Sequence, residues 1–130
     1  MSDAVFVYSP ALAGFELSPD HPFKPERARL TFEMCGDRGL LTGNGVRVEE
    51  FARPEEGLLE RWHTAEYITL LERAESGREV DVEMLHHGLG TAENPVFKGV
   101  HTYSKLSATA SVLAARAAAD GGSAFNPCGG

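Results

Sequence analysis

Hydrophobic and polar positions along this chain follow two periods, one of strands and one of helices. Ala4-Val5-Phe6-Val7-Tyr8 is a short apolar run rich in β-formers, closed by Ser9-Pro10, and it predicts a buried strand that starts a sheet. Ala11 to Lys24 holds Gly14, Pro19 and Pro22 without any period, so a long loop is expected there. Pro25 suits the first turn of a helix, and Glu26 follows where the helix dipole favours an acid. Arg27, Leu30 and Met34 then share one stripe at i, i+3, i+7 spacing, which predicts a buried face and aims the Arg27 guanidinium inward. Arg29 and Glu33 form an i,i+4 pair expected on the solvated side, and Gly36 and Gly39 end the helix.

Gly43-Asn44-Gly45 signals a turn before Val46-Arg47-Val48, a short alternating strand. Pro54-Glu55-Glu56 opens a short helix expected to reach about Arg61. Thr64 can cap a second one, with Tyr67, Ile68, Leu71 and Ala74 as its buried face and Gly77 as its stop. Gly88 to Pro95 reads as loop, and His86-His87 as part of a polar loop. Val96 to Asp120 carries the longest helical signal, with Tyr103, Leu106, Ala110, Leu113 and Ala117 on one face and small residues around them. Gly121-Gly122 breaks it, and Ser123 to Asn126 begins another strand. The order strand, helix, strand, two helices, long helix, strand is an α/β pattern.

Composition narrows the class. Hydrophobic residues make up 42% and charged residues 24%, a globular profile with enough apolar mass for one core. No apolar run approaches the length of a membrane helix, and Met1-Ser2-Asp3-Ala4 lacks the basic start of a signal peptide. Cys35 and Cys128 have no metal-ligand spacing and read as reduced thiols of a cytoplasmic protein. The net charge of −7, without any Lys/Arg cluster, argues against direct nucleic-acid binding. Nucleotide-binding and serine-hydrolase motifs are missing.

The final residues carry the first hint of chemistry. Gly129-Gly130 follows an apparent strand, and in open α/β sheets ligands bind beyond the carboxyl ends of strands, where glycine lets a reactant approach the backbone. The same pair also reads as a simple tail.

Five stretches resemble the histone deacetylase family, particularly its bacterial acetoin-utilisation branch. They are Val7-Tyr8-Ser9-Pro10; His21-Pro22-Phe23-Lys24-Pro25-Glu26-Arg27-Ala28-Arg29-Leu30-Thr31; His63-Thr64-Ala65-Glu66-Tyr67-Ile68; Gly88-Leu89-Gly90-Thr91 with Asn94-Pro95-Val96-Phe97-Lys98-Gly99; and Phe125-Asn126-Pro127-Cys128-Gly129-Gly130. The resemblance implies the N-terminal part of a doubly wound, mostly parallel sheet of the arginase/deacetylase type. It also implies a zinc-dependent enzyme, two to three times longer, that hydrolyses acetyl-amides of lysine or other amines. The paired histidines, the zinc ligands and the carbonyl-polarising tyrosine of that family's pattern are not in this sequence. Residues 1–130 are then either a single domain or an incomplete N-terminal segment, inactive and zinc-free by itself and prone to self-association. The alternative is a complete small α/β binding or interaction domain.

Within the resemblance, Arg27 matches an arginine that lines an internal channel and bonds to backbone near the Gly-Gly. Gly129 and Gly130 match the floor of the acetyl pocket. Glu93 stands where the family usually has an aspartate on the rim, so the carboxylate survives with a longer reach. His86-His87-Gly88 imitates the catalytic pair and a zinc-ligand stretch, but Met84 stands where that stretch has its aspartate, so no metal role is assigned to it.

Overall fold

A computed structural model describes residues 3–43 and 45–129. Asn44, in the predicted turn, and Gly130, in the predicted pocket floor, lie outside the described residues.

Three strands, β1 (Ala4–Tyr8), β2 (Val46–Glu50) and β3 (Ser123–Phe125), form a parallel sheet in the order β2-β1-β3. The hydrophobic run of β1 takes the central place, as expected of a strand buried on both faces. Val5 and Val7 pack with Leu106, Ala110 and Ala117 of helix α4 (Val100–Ala119). Phe6 and Tyr8 point the other way, to helix α1 (Glu26–Asp37), where the Phe32 ring stacks on Tyr8 at 4.0 Å and lies 5.7 Å from Phe6. Helices therefore cover both faces, and the expected doubly wound parallel arrangement is observed. Small residues along α4 let it lie close to the sheet.

A second cluster sits beside this one. Ile68, Leu70 and Leu71 of α2 (Ala65–Arg73), Met84 of the one-turn helix α3 (Val82–His86), Leu89, Phe97 and Val100 bury one another there. Thr64 caps α2 as predicted, accepting from the Tyr67 N–H at 3.2 Å. Asp81 caps α3 in the same way through Met84 N–H at 2.8 Å.

Four expectations are corrected. The inward face of α1 carries Ala28 and Phe32, while Leu30 and Met34 are 48% and 60% exposed and Arg27 lies on the exposed side. The stacked Phe32 ring anchors more surface than Leu30 or Met34 could, and Ala28 lets the first turn close on Leu12. The supposed loop after β1 begins with a 3-10 turn, Pro10–Gly14, which buries Leu12. Pro54 to Arg61 is not an α-helix; Gly57 takes φ +80°, and only Leu59–Arg61 form a 3-10 turn. His86 closes α3 instead of lying in a loop. Arg29 behaves as expected, donating to Glu33 at 2.7 and 2.9 Å and to Glu26 at 2.6 Å.

Candidate functional site

Parallel strands place their carboxyl ends on one side of the sheet, and that side holds the first candidate surface. β1 ends at Tyr8 and passes into Ser9, whose hydroxyl is buried without a hydrogen-bond partner. Burial pushes the Tyr8 phenol above its ordinary value, and the Glu33 charge adds to the shift. β3 ends at Phe125 and passes into a tight turn. Asn126 accepts from Cys128 N–H on its side chain (3.1 Å) and from Gly129 N–H on its backbone (3.1 Å). Its amide donates to Ser111 on α4 at 3.1 Å, while Ser107 donates to the Cys128 carbonyl at 3.4 Å. The turn is thus pinned to α4 at two points. A Cβ at Gly129 would sit 3.2 Å from the Asn126 carbonyl oxygen, a tight contact that a shift of a few tenths of an ångström would relieve. Burial raises the Cys128 thiol above its ordinary value, which keeps it protonated and unreactive.

The second surface is a cleft of about 730 Å³ between the segment before α1 and the Gly90–Pro95 loop. Ser18, Asp20, His21 and Pro22 line one wall, and Thr91, Ala92, Glu93 and Pro95 the other. Gly90 N–H donates to the Asn94 carbonyl at 2.8 Å, and Asn94 donates to the Gly88 carbonyl at 2.9 Å, so the loop is held across its own base. His21 Nε2 lies 3.2 Å from the Glu93 carbonyl, and His21 Nδ1 accepts from Phe23 N–H at 3.1 Å. Because Nδ1 is an acceptor, the proton sits on Nε2 and is donated to Glu93. Glu93 itself is exposed at the lip of the cleft.

The predicted site residues therefore fall into separate places. Gly129 lies at the strand ends, Glu93 on the lip of the cleft, and Arg27 on the outer face of α1. Neither His21 nor Ser9 stands out from the sequence pattern. His21 lay in plain view inside the His-Pro segment, but its partner is 72 residues away. Ser9 carried only the signal of a polar residue directly after a buried strand.

No group of three or more His, Cys, Asp or Glu side chains converges as metal ligands among the described residues. His87 Nδ1 lies 2.9 Å from the Glu83 carbonyl and its Nε2 3.7 Å from Glu66, an arrangement that stitches α3 to α2. No helix among the described residues is long and apolar enough to cross a membrane.

A doubly wound parallel sheet with a glycine turn at the strand ends and a two-loop cleft defines the architecture as α/β. The Histone deacetylase domain family matches residues 21–130, and the chain belongs to that family. Over 106 residues it is 32% identical to the acetoin utilization protein AcuC of Bacillus subtilis, covering 82% of this chain and 27% of that protein. The AcuC protein of Staphylococcus aureus is 29% identical over 104 residues, 80% of this chain and 26% of its own length. Histone deacetylase 2 of rice, Oryza sativa subsp. japonica, is 28% identical over 111 residues, 85% of this chain and 22% of its own. The chain spans about a quarter of the length of the curated relatives it matches. The family match begins at His21, so the central strand β1 precedes it.

Proposed function

We propose that this chain forms the N-terminal part of a zinc-dependent deacetylase that hydrolyses the acetyl-amide of a lysine or another amine, and that it supplies walls and rim without the metal. The observation that carries this reading is the pinned Asn126–Gly129 turn at the carboxyl ends of the sheet, in a chain that spans a quarter of its deacetylase relatives. Gly129, followed by Gly130, would give an acyl group room at the pocket floor. Glu93 would accept from the substrate at the lip of the cleft. Arg27 would line a product channel once the outer face of α1 is covered. The apolar spacing of Leu30 and Met34 on that exposed face supports a covered state in the whole protein. Zinc would supply Lewis-acid activation of the carbonyl and of a water, from ligands outside this chain.

By itself the chain is then inactive and self-associating. The test is the reading frame beyond Gly130. An in-frame continuation beginning with the paired histidines supports the proposal. A stop codon directly after Gly130 contradicts it and leaves a small non-catalytic binding domain.

A further inference from the structure

We infer that His21 is a positioning residue of the rim: its neutral ring clamps the segment before α1 onto the Gly90–Pro95 loop and so presents the Glu93 carboxylate at the mouth of the cleft. The inference rests on the proposed role of Glu93 in contacting substrate.

The geometry gives each ring nitrogen a separate task. Nδ1 accepts from Phe23 N–H at 3.1 Å, two residues along the same segment, which fixes the ring's orientation. Nε2 is left to donate across the cleft to the Glu93 carbonyl at 3.2 Å. A ring protonated on both nitrogens loses its acceptor for Phe23, and a ring protonated on Nδ1 alone loses its donor for Glu93. Only the Nε2–H form serves both loops. The segment is held independently at its far side, where Lys24 donates to the Ser18 carbonyl at 3.1 Å and the Pro19 carbonyl at 2.8 Å. The opposite loop is held by Asn94, which accepts from Gly90 N–H. Each loop therefore has its own brace, and His21 adds the bond between them. Because that bond is made to the Glu93 backbone, the carboxylate stays free for a ligand. The cleft walls are partly apolar, with Pro22, Ala92 and Pro95, and its lip carries Asp20 and Glu93. That lining suits a protonated amine on a short apolar stem.

His21→Asn separates the two tasks. Asparagine keeps a side-chain acceptor for Phe23 N–H, in the manner of an Asx turn, but is too short to reach Glu93. The wild-type chain, His21→Asn, Glu93→Gln and the double variant should be compared by NMR, with N-acetyl-1,4-diaminobutane as the probe and its neutral alcohol analogue as control. The wild-type ring should show the Nε2–H tautomer. His21→Asn should speed hydrogen exchange at the Gly90 amide and leave the melting temperature nearly unchanged. Glu93→Gln and His21→Asn should each weaken the charged probe about three- to fivefold, the size of one exposed ion pair. In the double variant the losses should not add, since both act through one carboxylate.

A proton on Nδ1, or weakening by Glu93→Gln without any by His21→Asn, overturns the clamp and leaves the rim reading standing. A wild-type chain that ignores the charged probe, or a Glu93→Gln variant that binds it normally, overturns the rim reading and the positioning role with it.

Discussion

The carboxylate of Glu75, just beyond α2, grips Thr102 in the first turn of α4 twice, through its backbone N–H at 3.1 Å and through its hydroxyl. It also accepts from His101 N–H at 2.7 Å, and the Glu75 carbonyl accepts from Gly99 N–H at 2.8 Å. Helix α4 has glycine at its N-cap, so it has no side-chain cap of its own. A carboxylate from another element takes the orphan N–H groups and meets the positive end of the dipole. Gly77 makes the approach possible: a Cβ there would lie 2.3 Å from the Lys98 backbone nitrogen, and its φ is +72°.

Glu75→Ala should accordingly lower stability by about 1–3 kcal/mol, the cost of leaving part-buried donors unpaired. Glu75→Gln, which keeps an acceptor without charge, should fall between that variant and the parent. Urea midpoints of the three proteins check this. A Glu75→Ala midpoint equal to that of Glu60→Ala, an exposed control, would remove the capping role.

Ser9 invites the opposite outcome. Its hydroxyl is buried and unpartnered, and a buried donor without an acceptor is destabilising. Ser9→Ala should therefore be neutral or should raise the unfolding free energy by up to about 1–2 kcal/mol. A clear loss of stability would mean that the hydroxyl has a partner in solution.

Core and surface should separate cleanly. Leu89 is fully buried, and Leu89→Ala should cost about 2–5 kcal/mol. Met34→Ala and Arg27→Ala, on the exposed face of α1, should stay within about 0.5 kcal/mol. Leu30→Glu with Met34→Glu should shift the chain toward monomer in sedimentation velocity, because the apolar face proposed to drive association becomes charged. Unchanged association would place the contact elsewhere, with the half-exposed Phe125 at the sheet edge next to be substituted.

The Glu55–Arg116 pair ties the segment before α2 to α4 with bonds of 2.7 and 2.8 Å. The Arg116 hydrogen bond holds the Glu55 carboxyl below its ordinary value. A depressed carboxylate contributes stability above the unfolded value, near about 4.3, and loses it as pH falls through the folded one. The melting-temperature gap between the parent and Arg116→Gln should be present at about pH 7 and should close toward about pH 3. A gap that persists in acid would mean that Arg116 acts by packing.

What the sequence made legible was local. Thr64 was readable as a cap because the bond it makes lies three residues away, and β1 because a run buried on both faces needs no partner to be noticed. The face of α1 was misread because periodicity cannot weigh Phe32 stacking on Tyr8 against Leu30 and Met34 in an adjacent stripe. Helix α3 has only five residues, too short for any period to reveal it, even though its cap Asp81 bonds Met84 N–H just three residues along. The cleft was half legible. Glu93 came from resemblance, whereas the histidine that holds its backbone is 72 residues away, and no local pattern encodes such a contact.

Whether this chain brings walls and rim to a deacetylase but not its metal, as proposed, is decided by zinc analysis of the purified chain together with an acetyl-lysine peptide assay. Zinc should lie far below one equivalent, and no acetate should be released. Zinc near one equivalent, or acetate release that His86→Ala abolishes, would contradict it.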